Sequence, residues 1–206
     1  MPRPITRRES KELTRRRLID GAMNILRTEG VEAATTGRIA REAGIKQSSF
    51  YGHFADRDAC LDEVAQLIGG YVLHNGRKHR GSLDASDLRG SIRRGVDAVT
   101  AAFESEPQLT AIFLRHRTDD TALGRCFESM VDIARKDLRR DLRAFGVAQT
   151  DEAGRVYAEL LISGTLGIVA GLVHGRLTDR ETAIDGLTDV TYAALRVALK
   201  REARDQ

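Results

Sequence analysis

Thr36-Gly37-Arg38-Ile39-Ala40-Arg41-Glu42-Ala43-Gly44-Ile45-Lys46-Gln47-Ser48-Ser49-Phe50-Tyr51-Gly52-His53-Phe54 is the stretch that decides how this 206-residue chain folds. Its spacing predicts two short helices, over about residues 36–43 and 46–51, separated by Gly44. Two short helices joined by a tight turn cross steeply. They need a small residue where they nearly touch and a glycine where the chain turns, and Ala40 and Gly44 supply these. Ile39, Ala43, Ile45 and Phe50 then point inward to hold the angle, which leaves Lys46, Gln47, Ser48, Ser49, Tyr51 and His53 facing outward. Lys and Gln can read purine edges in a major groove, while Ser, Tyr and His side chains suit phosphate oxygens. Taken singly, these residues would be a polar surface on an ordinary helical hairpin. As a spaced set they point to a helix-turn-helix that grips double-stranded DNA.

Working outward, Ile19, Ala22, Met23 and Leu26 fall at i, i+3, i+4 and i+7 and predict an amphipathic helix stopped by Gly30. After the central stretch, Asp56 is a good N-cap for a helix carrying Leu61, Val64, Ala65 and Ile68. Asn75-Gly76-Arg77-Lys78-His79-Arg80-Gly81 reads as a basic loop at a domain junction. Leu88, Ile92, Val96, Val99 and Phe103 outline a fifth helix, and Pro107 suits the first turn of a sixth. Leu123, Phe127, Met130, Ala134 and Leu138 outline a seventh that stops near Gly146, and an eighth covers about 151–174. A capping box of Thr178 with Glu181 opens a ninth. The fold class expected is all-α, about nine helices with no strand.

The composition, 41% hydrophobic and 31% charged, is that of a folded globular chain. Residues 1–57 hold 12 Lys/Arg against 7 Asp/Glu, and the remainder 21 against 23, so positive charge gathers where DNA would be met. The stretch from Met1 to Arg17 is polar and basic rather than a secretory leader. The longest uncharged apolar run, residues 160–173, is shorter than the roughly 20 residues that span a bilayer, and it reads as a buried helix. Cys60 and Cys126 stand alone, with no C-x-x-C or neighbouring His, so neither a disulfide framework nor a zinc site is signalled. A reducing cytoplasm fits, with no membrane partner and no cofactor. Catalytic signatures such as G-x-S-x-G, H-E-x-x-H or a phosphate-binding loop are missing from the sequence, so an enzyme is not expected. The basic run Arg135, Lys136, Arg139, Arg140, Arg143 is interleaved with Asp132, Asp137 and Asp141, which predicts a solvated, salt-bridged face rather than a second nucleic-acid site.

The runs Thr14-Arg15-Arg16-Arg17-Leu18-Ile19-Asp20-Gly21-Ala22, Gly30, Thr35-Thr36, Ile39-Ala40, Ala43-Gly44-Ile45, Phe50-Tyr51-Gly52-His53-Phe54 and Asp56-Arg57-Asp58-Ala59 resemble the tetracycline-repressor (TetR) family of bacterial regulators. The resemblance implies a three-helix DNA-binding head on a ligand-binding body that dimerises through its last two helices. It places the positions of Lys46, Gln47, Ser48 and Ser49 along the groove and those of Thr35, Tyr51, His53 and Arg57 on the backbone, with Thr36 in the same DNA-facing set. Gly52 stands where the family often has a larger residue, and Gln47 where it often has a basic one. The domains expected are a flexible basic arm over 1–12, the helix-turn-helix domain over 13–58, and a ligand-binding and dimerisation domain over 59–206.

The C-terminal half carries no comparably specific motif. Phe103, Ile112, Phe113, Phe127 and Met130 could line a pocket for a small, mostly apolar effector, with His116 or His174 as polar anchor. Gly164, Gly167, Gly171 and Gly175 on the eighth helix would admit a second helix closely, as in a homodimer. The function expected is that of a repressor released by its effector from a palindromic operator. The alternative is a ligand-independent, dimeric DNA-organising protein, whose body would have no cavity.

Overall fold

Thr6 accepts a hydrogen bond from the Glu9 amide (3.2 Å), and the Glu9 carboxylate accepts one from the Thr6 amide (2.7 Å). This capping box satisfies two backbone donors and starts helix α1 (Arg7–Glu29). The computed structural model describes residues 6–80, 84, 86–147 and 150–202, except the side chains of 79, 80, 201 and 202. Residues 1–5 of the expected flexible arm lie outside that set. The rest of the arm is corrected: 7–12 are the first turns of α1, because the cap and the helix-forming Arg, Glu and Lys residues suffice without an apolar stripe.

Beside a short 3-10 helix at Val31–Ala33, eight further α-helices follow among the described residues, with no strand. They are α2 (Thr36–Glu42), α3 (Gln47–Phe50), α4 (Arg57–Arg80), α5 (Leu88–Glu104), α6 (Pro107–His116), α7 (Ala122–Ala144), α8 (Asp151–Val173) and α9 (Arg180–Glu202). The loop expected at 75–81 is helical as far as Arg80, and Gly81 lies outside the described residues. Gly76 is buried there, so tertiary packing overrides its weak helix propensity. The cap of α9 is Asp179, not Thr178: its carboxylate accepts from the Thr182 amide at 3.0 Å.

The chain divides into two compact units, one holding residues up to Ile68 together with Ile112–Phe127, the other Gly69–Ala111 together with Glu128 onward. In the first, Leu18, Ile25, Leu26, Ile39, Phe50, Leu61 and Val64 are buried. Helix α1 crosses α2 at Gly21, where a Cβ would stand 3.3 Å from the Ala43 amide nitrogen, the Glu42 Cβ and the Ile39 carbonyl. Asn24 donates to Glu42 across the same crossing at 2.7 Å. In the second unit α5 packs on α9 and α8. Leu88, Ile92, Leu142, Val147, Leu195 and Ala198 form one buried cluster of its core. Arg89 with Asp189 and Arg93 with Asp185, each at 2.7 Å, fix α5 and α9 antiparallel. These pairs are half exposed and set register more than stability.

Two of the four glycines expected on the eighth helix, Gly164 and Gly171, have intramolecular work, while a Cβ at Gly167 or Gly175 would meet nothing within 4 Å. A Cβ at Gly164 would stand 2.8 Å from Leu187 Cδ1, and one at Gly171 2.6 Å from Leu177 Cδ1. The run 160–173 is therefore not buried on all sides: α8 is long and apolar enough to cross a membrane, yet only one face packs within the chain, leaving Val156 and Leu160 exposed.

Both cysteines are free. Burial, reinforced by the nearby Glu63 carboxylate, pushes the Cys60 thiol up to about 12. Because the thiolate is the nucleophile, alkylation of the native protein should modify Cys126 first and reach Cys60 only on unfolding. Peptide mapping after a timed iodoacetamide pulse checks this, and equal labelling of the two would contradict the packing of α4.

Candidate nucleic-acid interface

Phe50 is wholly buried and builds the interface around itself. Helix α3 has only four residues, too few to hold its shape alone, so the ring anchors it. Tyr51 meets Phe50 edge to face and Phe54 lies tilted beside it, both at 5.6 Å between centroids. Gly44 has φ +69°, the left-handed conformation the turn between α2 and α3 requires. With Ile39, Ala43 and Phe50 buried and Ile45 half-buried, Lys46, Gln47, Ser48, Ser49 and Tyr51 form an exposed row. Gln47 donates through Nε2 to Thr36 Oγ1 at 3.2 Å, and its carbonyl oxygen would stand 3.4 Å from a Cβ at Gly37, so the amide is held against the start of α2. Thr35 is exposed and caps α2, its hydroxyl accepting from the Arg38 amide at 3.4 Å.

Three members of the set are less free, the first being Thr36, half-buried and bonded to Gln47. His53 is half-buried, and its Nδ1 has no partner. Burial, then the positive charges of Lys11 and Arg15, hold its pKa below the ordinary imidazole value, so the ring is neutral at pH 7. Arg57 donates to the Val31 carbonyl at 3.2 Å, tying the start of α4 to the turn after α1.

Sequence reasoning missed Arg15 as a positioning residue, counting it only among the basic residues of the N-terminus. Its guanidinium pairs with both carboxylate oxygens of Glu63, donates to the His53 carbonyl and lies 4.1 Å over the Phe54 ring. One side chain thus joins α1, α4 and the segment just after α3. Glu63 was the available signal, but its partner is 48 positions away. Arg7, Arg8, Lys11, Arg16 and Arg17 remain exposed on α1 as a basic flank.

The second unit contains a cavity of about 170 Å³. Among the effector residues expected, Phe103 and Met130 line it, beside Val99, Ala134, Ile162 and Leu195. Ile112, Phe113, His116 and Phe127 belong to the first unit instead. There Phe113 and Phe127 pack together at 6.4 Å, and His116 Nδ1 lies 2.7 Å from Asp119. His174 is the exposed C-cap residue of α8 and is not in the lining. Apolar periodicity marks which face of α6 and α7 is covered, not which unit covers it. The basic run on α7 is largely neutralised: Arg135 reaches Asp132, Glu128 and Glu159, each at 2.8 Å, Arg140 reaches Asp141 at 3.1 Å, and Arg143 pairs with Asp151.

Such a polar row on a helix-turn-helix has the chemistry to meet the groove edges and phosphates of double-stranded DNA. The chain matches the family model of bacterial regulatory proteins, tetR family, over residues 18–64. It is 26% identical over 190 residues to the HTH-type transcriptional regulator SrpR of Pseudomonas putida, covering 89% of this chain and 83% of that one. An HTH-type regulator of Haemophilus influenzae is 40% identical over 76 residues, 36% of this chain and 37% of its own. The fold is shared with a transcriptional regulator from Pseudomonas aeruginosa PAO1 (TM-score 0.75, 21% identity, 92% of this chain and 94% of that one). A TetR-family regulator from Streptomyces coelicolor shares it too (TM-score 0.70, 20% identity, 91% and 90%).

Proposed function

We propose that the protein is a repressor acting in the cytoplasm, where it binds a palindromic DNA operator as a homodimer and is released by a small, mostly apolar effector bound in the cavity. The observation that carries the DNA part is the exposed row Lys46, Gln47, Ser48, Ser49 and Tyr51 held on the buried Phe50. Two such rows related by a two-fold axis would read half-sites in successive major grooves. The cavity favours an effector-responsive regulator over the ligand-independent organiser. Helix α4 supplies a covalent route for coupling, since it is continuous from Arg57, six residues after Tyr51, to Val72 and Leu73 of the cavity lining. Coupling of about 1–3 kcal/mol, reciprocal between DNA and effector, is the ordinary range.

Base-reading and phosphate-binding side chains should separate experimentally. Tyr51→Ala is expected to weaken binding to every duplex, while Gln47→Ala changes which base is preferred at one position per half-site, each by about 1–3 kcal/mol. Binding titrations on the best duplex and its single-base variants measure both. Loss of affinity in Gln47→Ala with an unchanged ranking of duplexes would take Gln47 out of base readout.

A further inference from the structure

Thr191 on α9 is buried and lines the cavity, and its hydroxyl has no hydrogen bond among the described residues. Other helical threonines behave differently. Thr165 donates to the Leu161 carbonyl at 2.8 Å and Thr188 to the Ile184 carbonyl at 2.7 Å, the usual way a hydroxyl is satisfied inside a helix. Thr100 also lacks a partner, but it does not belong to the lining and its oxygen is sealed among protein atoms. An unpartnered hydroxyl on a buried residue of an apolar cavity wall is a group left for something to bond.

The other polar lining groups are already engaged. Ser91 Oγ accepts from the Asp84 amide at 3.0 Å and from Arg94 at 2.9 Å. Asp141 is paired with Arg140 at 3.1 Å and is about one-fifth exposed. Most of the remaining wall is hydrocarbon, from Val72, Ile92, Val99, Leu138, Ile162 and Leu195 among others. A carboxylate placed there would lose its water and meet Asp141, a charge of its own sign. An ammonium would have to draw Asp141 away from Arg140. The volume sets the size: an apolar cavity of about 150 Å³ stays dry and takes benzene, and this one holds about 170 Å³.

We propose that the cavity takes a compact, uncharged monocyclic alcohol or phenol, of about seven to ten non-hydrogen atoms, whose hydroxyl bonds Thr191 Oγ1 while its ring and alkyl carbons fill the apolar wall. This rests on the reading of the cavity as the effector site. In aliphatic surroundings a single hydroxyl–hydroxyl bond separates the alcohol from the hydrocarbon of the same shape.

The test is calorimetric titration of the full chain, without DNA, with 4-ethylphenol, ethylbenzene, 4-ethylbenzoate and 4-ethylbenzylamine. 4-Ethylphenol is expected to bind and ethylbenzene to bind about tenfold more weakly, with no heat from either charged probe. Thr191→Val, nearly isosteric, is expected to bring 4-ethylphenol down to the affinity of ethylbenzene while leaving ethylbenzene unchanged. Ala134→Trp, which fills the space, should abolish both. Equal binding of the phenol and the hydrocarbon, a phenol advantage that survives Thr191→Val, or tighter binding of a charged probe would overturn the assignment. If 4-ethylphenol binds as expected but leaves DNA affinity unchanged, the cavity chemistry stands and the effector reading falls. If no compact probe binds while a different small molecule releases DNA from the wild type and not from Ala134→Trp, the effector reading stands and this assignment falls.

Discussion

Replacing Leu160 and Val190 together by Arg should leave a folded monomer that binds an inverted-repeat operator ~10²–10⁴-fold more weakly than the wild type, the margin gained by holding two binding heads together. Leu160 is 61% exposed and Val190 69% exposed in the single chain. Each belongs to a stripe of small or apolar exposed residues: Val156, Leu160, Ser163 and Gly167 on α8, and Gly186, Val190, Ala193 and Val197 on α9. Both stripes run at i, i+4, i+7 and i+11, so each lies along one face of its helix. Two adjacent stripes of this kind are an exposed apolar patch of the sort that marks an interface, and a two-fold pairing would bury both. Arginine at 160 and 190 would be solvated in the monomer but would bury unpaired charge in the dimer. Sedimentation equilibrium at micromolar concentration reports the mass, and an unchanged circular-dichroism melt of the helical signal shows that the fold survives. A double variant that remains dimeric would place the interface elsewhere.

Truncating Phe50 to Ala should cost the first unit ~3–5 kcal/mol, the range for deleting a buried aromatic side chain, and with it nearly all DNA affinity. The reason is local. Four residues of α3 cannot form a stable helix alone, and the Phe50 ring is their buried contact with the rest of the unit, flanked by Tyr51 and Phe54. Without it the exposed row loses its common orientation before any DNA arrives. Binding of 4-ethylphenol in the second unit serves as the internal control, since its lining contains no residue of the first unit. Urea unfolding and DNA titration of the same preparation measure both effects. Wild-type DNA affinity in Phe50→Ala would mean that the recognition residues are positioned by something other than this anchor.

Much of this architecture was legible because the local signals agreed. Gly44 takes the positive φ expected of it, Ile39, Ala43 and Phe50 are buried as their spacing requires, and the apolar stripe from Leu88 to Phe103 is α5. What escaped was structure made by single polar contacts or by packing at a distance. The Thr6–Glu9 box lay in a basic run with no apolar period to draw notice. Asn75-Gly76 has turn composition, yet Gly76 is buried in α4 and Arg77 pairs with Asp137, 60 residues on. Arg15 bonds Glu63 across 48 residues, a partnership no local window contains. Ile112–Phe127 has helical spacing like its neighbours, and nothing in that spacing assigns it to the first unit. The cavity follows from the same limit: Phe103 and Met130 line it, and so does Thr191, which nothing in the local spacing of α9 marks as a cavity residue.

Two helix-turn-helix rows, carried by one dimer, should read a specific inverted repeat. The most direct test is selection of duplexes from a random pool by the purified full chain, followed by titration of the enriched duplex and a scrambled one at physiological salt. An enriched inverted repeat with half-site centres about one helical turn apart is expected. The affinity for that repeat should be ~10³-fold or more above that for the scrambled duplex, the lower bound for specific regulators. Equal affinity for the two, or an enriched site with no two-fold symmetry, would contradict this expectation.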